Sequence, residues 1–477
     1  MIPIQRTPIR LKADPTQVIL KFLDFGRAER FTPVVDYVLS LSDAEAQSQL
    51  EAVLTDFQGR HFGLEAAFLE HYGKLAEYVP EEPPLSKKLL LGACFTHEYS
   101  IEAAALFNPS IVPHPVQSGL KEGELRFILS LRAAGEGHIS SVAFRTGVVT
   151  ADGGVTLGPS PVKLSAGKKL VDTAFAKPFV ALRFEGDKPM NSLLAERLPE
   201  RFTEREALAV ALQLEQEQHI GLAYEKEQAA LVFDGNYDVT FPDAIPLESR
   251  VLFPQSAQES NGLEDVRFTR FENEGSVVYL GTYTAYNGRA IRPQLIETED
   301  FKDFHIRSFY GKAASDKGMA LFPEKIDGRY AMIGRQGGRS LSIMYSDNLY
   351  FWEDHQPLQH PRRGWEVLQM GNCGSPVKTH AGWLLLTHAV GPMRKYVLSF
   401  TLLDLHGPSK VLASLEQPLL SPNAEEREGY VPNVLYTCGL LQHGRNLIIP
   451  YAMSDNAVGF ATVETEAVIR ELIQHRP

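Results

Sequence analysis

The chain has 477 residues, with 47 Lys and Arg against 59 Asp and Glu and a net charge of −12. That length can bury a large core and allows one big β domain with additions or two to three ordinary domains, while the acidic balance argues against a general nucleic-acid or acidic-lipid binder. Cys94, Cys373 and Cys438 are far apart, odd in number and without metal spacing, which disfavours a disulfide framework and a structural zinc.

The opening MIPIQRTPIRLKADP lacks the apolar core of a signal peptide, and no apolar run reaches the length of a membrane span, so a cytoplasmic protein is expected. From about residue 14 to residue 80 the chain reads helical. Asp14-Pro15 can open one helix, and Ser42-Asp43-Ala44-Glu45 has capping-box form, in which the serine oxygen accepts from a free helix N–H while the glutamate reaches back. A third helix is expected around GLEAAFLEHYGKLAEY, and the Pro-rich, charged VPEEPPLSKK suits a linker. Residues 1–88 are thus expected to form a helical N-terminal extension.

Beyond it, short runs rich in Val, Ile, Phe and Tyr alternate with Gly, Asn and Asp turns, the pattern of many short strands. A loose repeat of turn, strand and strand follows Gly275, Gly328, Gly382 and Gly444, and ELRFILSLRAAGEGHISSVAFRTG supplies a fifth member near the front. On the repeat alone the chain reads as mainly β, either a five-bladed β-propeller over 89–477 that hides its sheet edges and leaves a central funnel, or an α+β chain whose helices pack on sheets. A helical insertion at about 190–220 interrupts it, with Thr203 as N-cap before Glu204 and Glu206.

Four stretches carry the chemistry: NGLEDVR (Asn261 to Arg267), SDKG (Ser315 to Gly318), LLTHAV (Leu385 to Val390) and YAMSDNAVG (Tyr451 to Gly459). Each sits beside a strand-like run, and together they offer carboxylates, cations, a histidine and tyrosines, a set suited to a sugar and an anion.

NGLEDVRFTRF followed by VVYLGTYTAYNGR resembles the signature of glycoside hydrolase family 130, the inverting β-mannoside phosphorylases and β-mannosidases. FNPSIV, ALFPEKIDGRYAMIGR, THAGWLLLTHAV, YVLSFTLLDLHGPSKV, YVPNVLYTCG and SDNAVGFAT match in family order. The resemblance implies a five-bladed propeller that cleaves β-mannosides with inversion.

Inverting cleavage needs one protonated carboxyl to donate to the departing oxygen. On its own residues Glu264-Asp265-Val266-Arg267 reads as a turn with a local ion pair; the resemblance makes Asp265 the acid, passing its proton through a mannose hydroxyl. Val266 stands where the family usually has proline, which leaves the turn less rigid. Asp455 matches a position that grips sugar hydroxyls, although SDN also has the chemistry of an Asx turn. Asn108, Arg132, Arg267, Tyr286 and Asn287 complete the implied substrate-binding set.

Lys317, Arg335, His388 and Tyr396 stand where resembling phosphorylases hold phosphate, an anion that is already a nucleophile and needs no base. Singly they read as two surface charges, a core histidine and a packed tyrosine. The family's NKD is here DKG, placing Asp316 beside Lys317 and Gly318 after it; LHR is IGR, with Arg339 as a further cation. A hydrolase would need a carboxylate base roughly 6.5–9.5 Å from the acid, for which Asp316 and Glu428 are the candidates. The expected activity is phosphorolysis to α-mannose 1-phosphate, with hydrolysis and a non-catalytic carbohydrate-binding propeller as alternatives.

The expected partners are a mannose-containing oligosaccharide and inorganic phosphate as co-substrate, with no cofactor, metal, nucleic acid or membrane. His97-Glu98 falls short of a zincin motif, and His138 in GEGHIS reads as a hairpin tip, with contact to the leaving sugar as the alternative. The apolar faces of the N-terminal helices also allow a homo-oligomer contact.

Overall fold

The computed structural model describes residues 2–171, 173–177, 196–218, 233–273 and 275–474. Most of its strands form five consecutive antiparallel meanders. The first runs through Ala105–Pro113, Leu125–Ala134, Ser140–Val149 and Val155–Leu157. The second comprises Gly262–Asn273, Ser276–Tyr286, Ile291–Thr298 and Asp303–Ser308, and a parallel pairing of Gly262 with Ser140 joins it to the first. Ala320–Leu321, Tyr330–Gly334, Leu341–Ser346 and Gln356–Gln359 make the third.

In the fourth, Gln369–Asn372 and Val377–Thr379 both pair with Gly382–Gly391, which continues to Lys395–Leu403 and Val411–Ser414. The fifth sets Leu435–Tyr436 and Leu441–His443 against Asn446–Met453, followed by Ala457–Glu464. Each repeat read from the sequence corresponds to one of these meanders. Gly275, Gly328, Gly382 and Gly444 all have positive φ, the left-handed backbone that tight strand-to-strand turns ask of glycine.

The strand Gly382–Gly391 shows why its sequence lacks an apolar-polar alternation. Every residue in it is buried. Leu384 and Leu386 enter one core cluster with Leu398, Phe400 and Leu447, while Trp383, Leu385 and Ala389 enter another with Phe322, Ile333 and Ile343. Both faces are covered by neighbouring sheets, so both must be apolar.

The N-terminal region departs from the expected helical extension. Ile4–Arg6 and Leu11–Lys12 pair with Ala457–Glu464, adding the first residues of the chain to the last meander. Arg6 fixes this junction through Glu426, a fully buried carboxylate 3.0 Å from its Nε, which also accepts from the Tyr451 hydroxyl at 2.7 Å. Asp14-Pro15 opens no helix: the Asp14 carboxylate accepts from the Thr16 N–H at 2.9 Å in an Asx turn, and Val18–Phe22 then pairs with Thr96–Ser100.

Helices follow at Ala28–Ser40, Asp43–Phe57, Leu64–Gly73 and Leu85–Cys94, sharing a core that includes Phe31, Val35, Leu91 and Phe95. The capping box is formed, with the Ser42 oxygen accepting from Glu45 N–H at 3.3 Å and Glu45 accepting from Ser42 N–H at 2.8 Å. The expected linker instead starts the helix Leu85–Cys94 directly after Pro84, because proline suits a helix start as well as a loop.

In the predicted insertion the helix Glu204–Gln218 is capped by Thr203, whose oxygen accepts from Glu206 N–H at 3.4 Å; its outer parts, 190–195 and 219–220, lie outside the described residues. A helix at Thr465–Gln474, not anticipated from sequence, packs Val468 and Leu472 into the last core cluster. Among the described residues no helix is long and apolar enough to cross a membrane.

Candidate functional site

Two irregular strands build the site. The ladder between Ala105–Pro113 and Leu125–Ala134 shifts register between Phe107 and Ser110, and that between Gly262–Asn273 and Ser276–Tyr286 shifts between Glu264 and Arg267. Asn108 (φ 49°) and Asp265 (φ 58°) occupy these bulges in left-handed backbone, which Asn and Asp tolerate better than most residues. Consecutive side chains of a regular strand face opposite sides. Here the bulge lets Glu264 and Asp265 both meet Arg132, whose Nη2 donates to Glu264 Oε1 at 2.7 Å and Nη1 to Asp265 Oδ1 at 3.2 Å. Asn108 Nδ2 also donates to Asp265 Oδ1, at 2.7 Å.

These groups face a cavity of about 260 Å³. Asn108, Arg132, Asp265 and Asp455 line it together with Lys317, Arg335, His388 and Tyr396, so residues from all five meanders or the loops between them converge. Asp455 comes from a two-residue left-handed tip, with φ 50° at both Ser454 and Asp455. Arg394 reaches the cavity from a comparable tip, where Met393 has φ 59° and Arg394 φ 53°. Backbone held in such conformations is a recurrent feature of binding sites.

The two lining carboxyls sit in opposite environments. Burial alone would raise Asp265, but Arg132, Arg267, the Asn108 amide and Lys317 outweigh it and hold the group below the usual carboxylate range. Burial, reinforced by the charge of Asp265, pushes Asp455 up to about 6, with Arg132 and Arg394 opposing. The same side-chain chemistry thus takes opposite shifts because the cations cluster on Asp265 and not on Asp455.

His388 is 1% exposed, and neither ring nitrogen makes a hydrogen bond of ordinary geometry. Burial, then Arg335 and Arg267, push it well below the usual histidine range, so it is a neutral imidazole. Its ring packs against both Tyr396, at 6.1 Å and nearly parallel, and Tyr436, at 4.7 Å, with the two tyrosines 6.5 Å apart. Arg335 Nε donates to the Lys317 carbonyl at 3.3 Å. A buried polar group without a partner is costly unless a ligand completes it.

Other expected residues fall beside the cavity or away from it. Arg267 lies behind it, 2% exposed, donating to the Asp265 carbonyl and the Tyr436 hydroxyl at 2.7 Å each. Tyr286 is half-buried, with its ring centre 5.6 Å from Lys317 Nζ. Asn287 does not belong to the site: its side chain is exposed and accepts from the N–H groups of Arg289 and Ala290 at 3.0 and 2.7 Å, closing the turn before the next strand.

Neither candidate base lines the cavity. Asp316 accepts from Gly337 N–H at 2.8 Å, and Glu428 is exposed. Arg339 donates to the Val367 carbonyl at 3.3 Å on the surface. Glu98 is taken by Arg60 at 2.8 Å and His61 at 2.6 Å, and among the described residues no cluster of His, Cys, Asp and Glu could hold a metal ion. His138 sits at a hairpin tip, stacked on Tyr430 at 5.9 Å. Glu264, Tyr436 and Arg394 were not singled out from the sequence, although Glu264 adjoins Asp265 and Tyr436 lies in YVPNVLYTCG.

A family model described as β-1,4-mannooligosaccharide phosphorylase matches residues 231–473. A 1,2-β-oligomannan phosphorylase from Thermoanaerobacter sp. (strain X514) is 34% identical over 46% of this chain and 75% of its own length. A β-1,2-mannobiose phosphorylase from Listeria innocua is 28% identical over 47% of this chain and 64% of its own length. The solved structure of a Listeria innocua β-1,2-mannobiose phosphorylase in complex with β-1,2-mannobiose aligns with a TM-score of 0.48 and 20% identity, covering 78% of this chain and 93% of that one. The family match takes in the stretch from the Asp265 bulge to the Asp455 tip, and the chain belongs to glycoside hydrolase family 130.

Proposed function

We propose that this protein is an inverting β-mannoside phosphorylase, whose five meanders are the blades of a propeller opening on the cavity. Phosphate sits against Lys317, Arg335, His388 and Tyr396 and attacks C1 of the terminal mannose from the face opposite its glycosidic bond. As the C1–O bond breaks, its electron pair goes to the leaving oxygen, which takes a proton from Asp265 through a sugar hydroxyl. Asp455, Arg132 and Asn108 hold the mannose. The products are α-mannose 1-phosphate and a saccharide one mannose shorter.

The observation that carries this reading is His388. A neutral, buried imidazole beside Arg335 and Tyr396, with no hydrogen bond of ordinary geometry and only the Asn372 backbone near a ring nitrogen, suits an oxyanion that accepts an N–H. With Asp316 and Glu428 outside the cavity, neither carboxylate considered as a base for activating water is at hand.

Asp265 is ionised in the empty site, as its cationic neighbours require. A bound phosphate offsets Lys317 and adds negative charge to the cavity, so its arrival favours the protonated form of Asp265. The nucleophile thereby helps to arm the acid.

The two relatives described above, both named for β-1,2-mannosides, point to that linkage first. Incubation with β-1,2- and β-1,4-mannobiose, with and without phosphate, is expected to yield α-mannose 1-phosphate from the β-1,2 substrate only when phosphate is present. Mannose released as fast without phosphate would overturn the assignment.

A further inference from the structure

Glu264 adjoins the proposed acid yet takes no part in the chemistry above. Its side chain is 6% exposed and both oxygens are engaged, Oε1 with Arg132 at 2.7 Å and Oε2 with Lys317 Nζ at 2.5 Å. The same two cations act on Asp265: Arg132 through its other terminal nitrogen at 3.2 Å, and Lys317 through space.

Two physical points speak against a merely structural ion cluster. Buried ion pairs contribute little net stability, because desolvation offsets their attraction. A carboxylate beside an anion seat also repels the anion, so a neutral hydrogen-bond acceptor would serve phosphate binding better. What Glu264 supplies, and a neutral residue would not, is a competing negative charge for Lys317 and Arg132. Without it, both cations have Asp265 as the adjacent carboxylate to pair with, and a carboxylate fully paired with cations is a poor proton donor.

We propose that Glu264 is a positioning residue for the proton donor: it engages Lys317 and one arm of Arg132, so that fewer cations pair with Asp265 and its carboxyl takes up the proton it donates more readily. This inference rests on the phosphorolysis reading above. It makes the bulge at Glu264 and Asp265 functional, since only a register shift places both carboxyls on Arg132.

The test is Glu264→Gln, equal in size but uncharged. At saturating phosphate kcat is expected to fall by roughly 30- to 100-fold, at or just below the lower edge of the roughly 10²- to 10⁴-fold that general acids contribute, while KM for phosphate stays level or falls. A structural role predicts the reverse pattern, a raised phosphate KM with a lower melting temperature. The second arm repeats the substitution in a Lys317→Met background. There the kcat loss from Glu264→Gln should shrink by about fivefold or more, because one of the two cations that Glu264 engages is gone.

Equal losses in the two backgrounds, or a phosphate KM raised several-fold with kcat retained, would overturn the proposal. Should Glu264→Gln not fold, Glu264→Asp is measured in the same backgrounds, with the same pattern expected at smaller amplitude. If wild type proves indifferent to phosphate, the nucleophile assignment fails by itself. The two-background comparison of kcat still decides the role of Glu264, since departure of the sugar needs the proton whichever nucleophile attacks.

Discussion

Asp265→Asn is expected to remain folded and to lose turnover by roughly 10³-fold, as removal of a general acid does when the leaving group is a poor one. The substitution keeps the shape of the side chain and its acceptor for the Asn108 amide, and Glu264 remains as counter-charge for Arg132 and Lys317. Loss of activity would therefore report the missing proton rather than a collapsed site. The measurement is release of α-mannose 1-phosphate from mannobiose under saturating phosphate, paired with a thermal melt. A folded variant retaining a tenth of wild-type activity would sink the assignment.

The pH profile adds a second check on the same residue. An acid must be protonated to act, and Asp265 is lowered in the empty site, so the fraction able to donate falls as pH rises through its pKa. In the free enzyme, reported by kcat/KM, that loss should set in at lower pH. In the phosphate-loaded complex, reported by kcat, the added negative charge should move the limb to higher pH. Asp265→Asn should remove this limb from the residual rate.

The five meanders were legible because the sequence marks each one at a backbone position with few alternatives. Gly275, Gly328, Gly382 and Gly444 sit at tight left-handed turns, and the flanking apolar runs are long enough to be strands but too short for helices. The N-terminal strands were not legible for the opposite reason. Ile4 pairs with Val463 and Leu11 with Val458, so what makes these residues strands lies at the other end of the chain. Asp14-Pro15 carries a local signal shared by a helix start and an Asx turn, and pairing of the next segment with Thr96–Ser100 decides for the turn.

Within the site the same distinction holds. Asp265, Asp455, Lys317, Arg335, His388 and Tyr396 were found through motifs and do meet in one cavity. Asn287, drawn in with its neighbours, spends its side chain on the turn that an Asn-Gly pair favours in any strand connection. Glu264 was passed over because a strand period of two turns it away from whatever Asp265 faces. A bulge cancels that rule without announcing itself in the residue pattern. Arg394 escaped because its place at the cavity depends on two successive left-handed residues, neither of them glycine.

The combined variant Lys317→Ala and His388→Ala is expected to abolish phosphate dependence, lowering kcat/KM for phosphate by about 10²- to 10⁴-fold. Hydrogen bonds to a charged partner are each worth about 1.5–3 kcal/mol, and two are removed. Either single change leaves Arg335, Tyr396 and one of the pair in place, so the loss should be smaller and the order of the two immaterial. His388 packs against Tyr396 and Tyr436, and truncating it opens a void; Lys317→Ala with His388→Asn keeps a polar side chain there and guards against reading a packing defect as lost chemistry. Mannose affinity, measured separately by calorimetry, should change little, because Asp455 and Asn108 are untouched. Undiminished release of free mannose by the double variant with no α-mannose 1-phosphate formed would mean that water, not phosphate, attacks, and that the cations around His388 serve another anion.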